Sequence, residues 1–334
     1  MAHITRVLVT GGAGYIGSHV CKYLTHQGVE PIVVDNLERG HDWAVRWGPL
    51  YRVDLRDPAA IRAVLTRERI DAVLHFAGLA YVGESMHCPE AYFANNVTGT
   101  LHLLEAMRAA NVRTIVFSSS CAVYGIPQRI PIPEDHPQHP INPYGETKRC
   151  IERMLHWYGK IHGFRWIALR YFNAAGADPD GELGEWHDPE THLIPNVLRT
   201  ALGLQPCVEI YGTDYPTDDG TAIRDYIHVW DLAAAHWQAL TYLVRGGAST
   251  AVNLGTGHGV SVARVVRTAQ SVIGRSIPVR TTERRPGDPP ILVADPSRAM
   301  RILEWRPRMS DLETVIGTAW DWMNKYVTES ARDT

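Results

Sequence analysis

Short apolar runs alternate with longer amphipathic stretches through the first half of the chain. Arg6 to Thr10, Pro31 to Val34, Asp71 to Phe76, Thr114 to Phe117 and Trp166 to Leu169 have strand length and few polar interruptions. Between them, Tyr15 to Gln27, Pro58 to Arg67, Pro89 to Ala110 and Pro143 to His162 carry apolar residues at helical spacing. Strands buried on both faces and separated by helices predict an α/β fold built on a doubly wound parallel sheet. The alternation breaks after about Asn173. Gly and Pro become frequent from Ala174 to Gly220, interrupted by a helix-like Leu193 to Leu202. A strand-like Val252 to Leu254, a helical Ser261 to Ile273, an Arg/Pro/Gly loop from Glu283 to Pro290 and a Trp-rich final helix follow. The pattern predicts a sheet domain over residues 1–172, rejoined by segments around 224–255. A smaller mixed region at 173–334 exchanges segments with it.

Composition narrows the function classes. The 334 residues carry a formal charge of -3, which gives no general attraction to nucleic acid or to an anionic membrane. No run approaches the roughly 18 apolar residues of a membrane span. The N-terminus enters the strand-like Val7-Leu8-Val9 without a signal-peptide pattern. The five cysteines are far apart and form no Cys-x-x-Cys pair, which predicts a reducing cytoplasm and neither a disulfide framework nor a zinc site. None of the histidines lies in a His-Glu-x-x-His arrangement. His187 and His192 flank acidic residues and read as part of a polar loop, so no metal is expected.

The first strand runs into Thr10-Gly11-Gly12-Ala13-Gly14-Tyr15-Ile16-Gly17. Two dinucleotide spacings fit, Gly12-x-Gly14-x-x-Gly17 and Gly11-x-x-Gly14-x-x-Gly17. Glycines let the backbone turn tightly and approach a pyrophosphate, and the amides of the next helix bind that anion. A strand before the motif and a helix after it are the context such a Rossmann site needs. Asp35 ends the second strand and suits adenosine ribose hydroxyls. It repels a 2′-phosphate and so favours NAD over NADP. The Asp35-Asn36 pair also suits a turn, and Arg39 is close enough in sequence to serve a phosphate. Asp54-Leu55, after another apolar position, is placed at the adenine edge.

Tyr144-Gly145-Glu146-Thr147-Lys148 sets a phenol and an ammonium one turn apart on a helix face. The ammonium favours the phenolate, so a weak acid becomes a usable base. Asn142 suits an N-cap and Pro143 the first helical position, which puts Tyr144 near the positive end of the helix. Bringing a tyrosine from about 10 to neutrality needs on the order of 4 kcal/mol, shared by Lys148, the helix terminus and a nicotinamide cation. Ser118-Ser119-Ser120 follows the run that begins at Thr114, at the strand end where such sheets bind ligands. The three motifs together point to hydride chemistry at a nicotinamide.

Longer strings extend the pattern. They include His75-Phe76-Ala77-Gly78-Leu79, Val82-Gly83-Glu84-Ser85, Asn95-Asn96-Val97-x-Gly99-Thr100 and Arg170-Tyr171-Phe172-Asn173. They also include Tyr215-Pro216-Thr217-x-Asp219-Gly220-Thr221, Arg224-Asp225-Tyr226-Ile227-His228-Val229, Asn253-Leu254-Gly255-Thr256-Gly257 and Arg284-Arg285-x-Gly287-Asp288. With these strings the chain, over nearly its whole length, closely resembles the UDP-glucose 4-epimerases of the extended short-chain dehydrogenase/reductase family.

The resemblance implies that residues 1–172 bind NAD and that the region 173–334 binds a UDP-sugar. Tyr144 removes the proton of the sugar 4-hydroxyl, Ser120 hydrogen-bonds the same oxygen, and Lys148 lowers the tyrosine pKa and holds the nicotinamide ribose. Hydride leaves C4 for tightly held NAD+, the 4-keto sugar turns, and hydride returns to the other face. The implied cofactor contacts are Gly11, Gly14, Tyr15, Ile16, Gly17, Asp35, Asn36, Asp54, Leu55, Phe76, Ala77, Gly78, Asn95 and Tyr171. The implied substrate contacts, besides Ser120 and Tyr144, are Asn173, His192, Leu193, Arg224, Arg285 and Asp288; guanidinium forks suit a diphosphate. Helices near 89–110 and 143–162 would form a homodimer contact.

The chain departs from the family at Ala80, where many members have a lysine, and at His192, where an asparagine is common. Leu292 falls where side-chain bulk bears on whether an N-acetylated sugar fits. UDP-glucose and UDP-galactose are the expected substrates, with N-acetylated or pentose UDP-sugars as the alternative. A 4,6-dehydratase needs an acid/base carboxylate pair at the place held here by Ser120-Cys121-Ala122. A net oxidoreductase would exchange its cofactor, and a non-enzymatic scaffold has no need of Tyr144, Lys148 and Ser120.

Overall fold

A computed structural model describes residues 4–285 and 288–330; Gly287 of the Arg284–Asp288 motif lies outside them. The first half contains β1 (Arg6–Thr10), α1 (Tyr15–His26), β2 (Glu30–Asp35), β3 (Leu50–Arg52), α2 (Pro58–Arg67) and β4 (Ala72–His75). It continues with α3 (Val82–Ser85), α4 (Pro89–Tyr92), a π-helical segment at Phe93–Thr98, α5 (Gly99–Ala109), β5 (Thr114–Ser120), α6 (Pro143–His162) and β6 (Arg165–Tyr171). The second half contains β7 (Asn173–Ala175), α7 (Leu193–Ala201), β8 (Val208–Tyr211), β9 (Ile223–Arg224), β10 (Tyr226–His228), α8 (Val229–Val244) and β11 (Thr250–Leu254). β12 (Val260–Ser261), α9 (Val262–Ile273), β13 (Val279–Thr282), β14 (Ile291–Leu292), α10 (Ser297–Ile302) and α11 (Leu312–Ser330) end it.

Among the described residues, β11-β6-β5-β4-β1-β2-β3 form one seven-stranded sheet, parallel throughout. Side chains alternate across it. Val7, Val9 and Val33 pack on one face with α1 and α8, while Leu8, Ile32 and Val34 pack on the other with α2, α5 and α6. Both faces are therefore apolar, as a parallel sheet between helix layers requires. The chain leaves β3 and returns to the far side of β1 as β4. That reversal opens a crevice at the strand C-termini, where Thr10, His75 and Ser120 end their strands.

Three elements differ from the sequence pattern for physical reasons. The stretch Pro89 to Ala110 is divided by π-helical geometry at Phe93–Thr98. β5 continues through the serines, with Ser120 in register with Tyr171, because a strand in the sheet centre is held by its neighbours on both sides. α8 has no counterpart among the predicted helices. It is sandwiched against α1 and the sheet, so it is apolar nearly all round and shows no amphipathic stripe.

Residues beyond β6 divide their allegiance. α8 and β11 join the main sheet domain, whereas β10 pairs with β7, β9 lies between β12 and β14, and β8 pairs with β13. A separate core formed by α7, α9 and α11 includes Ile194, Val197, Leu198, Val265, Val315, Ile316 and Trp322. No helix of the described residues is long and apolar enough to cross a membrane.

Candidate active site

The glycine loop adopts the second of its two possible spacings. Gly11 has φ +72°, and a Cβ there would lie 2.5 Å from the Ala77 amide nitrogen. A Cβ on Gly17 would lie 2.2 Å from the Gly11 carbonyl oxygen, so both positions require glycine. The first amide to bond back into the helix is Ser18 N–H, to Gly14. The amides of Tyr15, Ile16 and Gly17 precede it at a helix end that no side chain caps and no acidic residue neutralises. This is a cradle for a phosphate. Asp35 stands beside it and accepts from Ala13 N–H at 3.1 Å and Leu37 N–H at 2.8 Å. These turn contacts leave the carboxylate with acceptor sites to spare. Arg39 is bound to Glu84 at 2.6 Å and covers the Tyr81 ring, which removes it from Asp35.

Asn36 donates to Asp54 at 2.9 Å, and hydrogen bonds from Arg56 hold the Asp54 carboxyl well below the usual range. Leu55 is buried, and its carbonyl faces His102. Phe76 and Ala77 both donate their amides to Thr10, which ties the end of β4 to the end of β1. Asn95 is half-buried and donates to Asn96. Asn96 is the inward member of the pair: it accepts from Leu79 N–H at 2.8 Å and donates to the Leu79 carbonyl and to Thr147. The π-helical segment, with its wider turn, carries this asparagine. The Tyr171 hydroxyl meets His236, whose ring also packs on Phe76.

Asn142 caps α6 through Gly145 N–H at 2.8 Å, and Tyr144 and Lys148 rise from its first two turns. Ser120 lies beside the Tyr144 hydroxyl, and its Oγ accepts from Ala122 N–H at 3.2 Å. Ser119 instead turns to Glu152, and the Ser118 carbonyl accepts from Lys148 Nζ at 2.8 Å. Ser120 is thus the serine directed at the tyrosine. Burial pushes the Tyr144 phenol up to about 12, and the neighbouring Ser120 hydroxyl opposes this. Lys148 Nζ lies 5.6 Å from the centre of the Tyr144 ring. Burial likewise lowers Lys148 to about 8, opposed by the Glu152 charge. A Cβ built on Gly78 would lie 3.8 Å from Lys148 Nζ, so the segment Phe76–Gly78 joins the phosphate cradle to the Tyr144–Lys148 pair.

Glu152, four residues after Lys148, was not singled out in the sequence. It accepts from Arg170 at 2.9 and 2.6 Å, from Ser119 at 2.6 Å and from Gln138 at 2.9 Å, all largely out of water. It fastens α6 to β5 and β6 beneath the site. A charged residue on the apolar stripe of one helix and an arginine inside an apolar strand were the available signals.

On the far side, Arg224 forms an ion pair with Asp288, and its charge acts on Cys121, one residue from Ser120. Leu292 is in register with Arg224 across β9 and β14 and packs on the cluster of Cys121 and Phe172. Asn173 starts β7 and is held through its amide to Asp225. Arg285 is exposed and stacks 3.9 Å over the Tyr211 ring, and its carbonyl accepts from Asp288 N–H at 3.2 Å. Leu193 begins α7. His192 Nδ1 is engaged by Glu185 and Glu190. Burial disfavours the charged imidazoles of His187 and His192, yet the carboxylates of Glu185 and Glu190 outweigh it and raise them to about 9 and about 10.

The fold and this site define a dinucleotide-dependent enzyme with a buried tyrosine–lysine pair at the end of the central sheet. Residues 7–255 match the model of the NAD dependent epimerase/dehydratase family. The UDP-glucose 4-epimerase of Rhizobium leguminosarum bv. trifolii is 50% identical over 319 residues, 96% of this chain and 97% of that one. That of Halalkalibacterium halodurans is 49% identical over 320 residues, 96% of each chain. The Brucella ovis UDP-glucose 4-epimerase solved in complex with NAD superposes with a TM-score of 0.93 at 52% identity, over 95% of this chain and 97% of that one. The Bifidobacterium longum enzyme, solved with NAD+ and UDP, gives 0.90 at 38%, over 96% and 98%. The chain belongs to the NAD dependent epimerase/dehydratase family.

Proposed function

We propose that this enzyme is an isomerase that interconverts UDP-glucose and UDP-galactose at sugar C4 with NAD as its cofactor. The observation that carries the reading is the placement of Ser120, Tyr144 and Lys148 against Phe76–Gly78, which abuts the glycine cradle. Near-full-length relatives at about 50% identity with this activity support it. Residues 1–172 with α8 and β11 form the dinucleotide unit, and the remainder of 173–334 receives the UDP-sugar.

Gly11, Gly14 and Gly17 bring backbone to the pyrophosphate, the amides of Tyr15, Ile16 and Gly17 bind it, and Asp35 holds the adenosine ribose. When bound, NAD+ would supply the acceptor for the C4 hydride and its return to the opposite face, and a positive charge near the phenol. Tyr144 takes the proton of the 4-hydroxyl and later returns it. Ser120 donates to the same oxygen as it becomes a carbonyl, which stabilises the charge that develops there. Lys148 faces the cofactor ribose from the Ser118 carbonyl. Because burial keeps the phenol neutral, proton removal is favoured only when both cations flank it. Arg224, oriented by Asp288, is the diphosphate ligand.

Leu292 lies opposite Arg224, and the relatives favour the glucose/galactose pair over N-acetylated or pentose sugars. The enzyme also forms a homodimer through α5 and α6. The exposed Leu101, Trp157 and Ile161 on these helices support that contact, and a light-scattering mass near the 37.3 kDa of one chain would count against it. Five free cysteines support a cytoplasmic location.

The test is incubation of purified protein with UDP-galactose, with no cofactor added and then with NAD+ added, the products resolved by NMR. UDP-glucose is expected. No turnover under either condition, or turnover of only N-acetylated pairs, overturns the reading.

A further inference from the structure

We propose that Glu185, His187, Glu190 and His192 form a structural site for one divalent transition-metal ion, zinc by the chemistry of its ligands. All four come from the loop that precedes α7. One ligand atom from each lies within 4.8 Å of every other. His192 Nδ1 is 2.8 Å from Glu185 Oε1 and 3.1 Å from Glu190 Oε1; His187 Nδ1 is 3.3 Å from Glu185 Oε1 and 3.6 Å from Glu190 Oε2. Four ligands at about 2.0–2.1 Å around a tetrahedral zinc are separated from one another by about 3.3 Å. The observed spacings bracket that value.

Ordinary ion pairing accounts for the cluster less well. Glu190 Oε1 accepts from Thr191 N–H and His192 N–H at 2.8 Å each, whereas each Nδ1 faces two carboxylates with a single site for a proton. His187 Nδ1 is a buried atom that makes no hydrogen bond at all. The side chains of Glu185 and Glu190 are only 7% and 3% exposed. Two buried carboxylates need a compensating charge. In the metal-free loop two imidazolium ions supply it; one dication would replace both protons, and both Nδ1 atoms would then serve as lone-pair donors.

Two imidazoles and two carboxylates are a borderline ligand set that suits zinc better than calcium or magnesium. Four protein ligands fill a tetrahedron and leave no open position, which marks a structural site and not a catalytic one. The loop lies where a brace matters. The Trp186 carbonyl receives His41 at 2.8 Å, and the Tyr81 ring lies 5.8 Å from His187 and 6.4 Å from His192. A metal here would clamp the approach to α7 against the segments 39–41 and 81, beside the dinucleotide loop. No proton or hydride passes through these groups, but His192 is also an implied substrate contact, so metal content and Tm, not turnover, are the readouts.

The experiment uses the full chain, stripped with a chelator, incubated with zinc sulfate, gel-filtered and measured for bound metal by mass spectrometry. Roughly one zinc per chain is expected. His187→Gln and Glu190→Gln should each abolish it, and zinc should raise the Tm of the parent protein but of neither variant. Cobalt substitution of the parent protein needs no variant and should give the intense visible absorption of a four-coordinate ion. Zinc retained equally by both variants means adventitious binding to other histidines and overturns the proposal. So does retention of no zinc, or a pale six-coordinate cobalt spectrum.

Discussion

The sheet half and the substrate half of this molecule are held together by different means. In the sheet half, seven parallel strands are apolar on both faces, and the helices that cover them are mostly their own crossovers. In the substrate half, strands of two to four residues pair across long stretches of chain, β9 with β14 and β8 with β13. Polar knots do much of the fastening there. Asp225 is fully buried and accepts from Thr256 N–H, Thr256 Oγ1, Gly257 N–H and Ala294 N–H at 2.7–3.1 Å. The sheet half has its own buried carboxylate, Glu152, but that one answers a guanidinium. Periodic burial builds the platform for chemistry; a carboxylate gathering backbone amides builds the cover for the sugar.

The largest effect that can test this division is on turnover. Tyr144→Phe removes the acid–base hydroxyl and keeps the ring that packs on Tyr92. We expect kcat to fall by about 10²–10⁴, with KM and Tm nearly unchanged. A variant that kept half the parental kcat would place the chemistry elsewhere.

Next in size are the two carboxylates. Glu152→Gln leaves the Arg170 guanidinium buried without its counter-charge, which costs about 3–5 kcal/mol. Asp225→Asn keeps one acceptor oxygen but turns an amide donor toward donors, at about 1–3 kcal/mol. Urea unfolding should show the larger loss for Glu152→Gln. The reverse order would mean that the substrate half, not the sheet, limits stability.

The same contrast explains what was legible in the sequence. The sheet strands and α6 follow from apolar runs and caps because their partners and their patterns are local. Gly11, Gly17 and Asp35 could be read because a sharp turn and a strand end constrain residue type. The short strands β7, β9, β10, β12 and β14 carry too few residues to show a period. Asp225 was visible only as part of a string of letters, since its hydrogen bonds reach residues 31 and 69 positions away. His187 and His192 were visible as neighbours of acidic residues, but their convergence depends on how the loop folds back on itself. The phenol could not be judged from spacing, because burial, which sets its proton affinity, is a property of the whole site.

A smaller effect separates charge from shape at Lys148. Burial lowers this lysine to about 8, so its ammonium is lost as pH rises through that value. The cation favours the phenolate, and kcat should therefore decline above about pH 8 in the parent enzyme. Lys148→Arg keeps its charge through this range, so the alkaline decline should vanish even though the altered geometry lowers the plateau. A pH profile that keeps the same alkaline limb in Lys148→Arg would assign the titration to another group.

The smallest effect belongs to the substrate half. Asp288 orients Arg224, whose side chain is 11% exposed and whose charge acts on Cys121. Asp288→Asn preserves the shape and one acceptor but loosens the guanidinium, at about 1 kcal/mol for a partly exposed pair. That corresponds to about a five-fold rise in KM for UDP-galactose, with kcat and Tm unchanged. A fall in kcat of the same size would show that Arg224 helps to align the reacting carbon. The cover would then share in the chemistry, and the division between the two halves would fail.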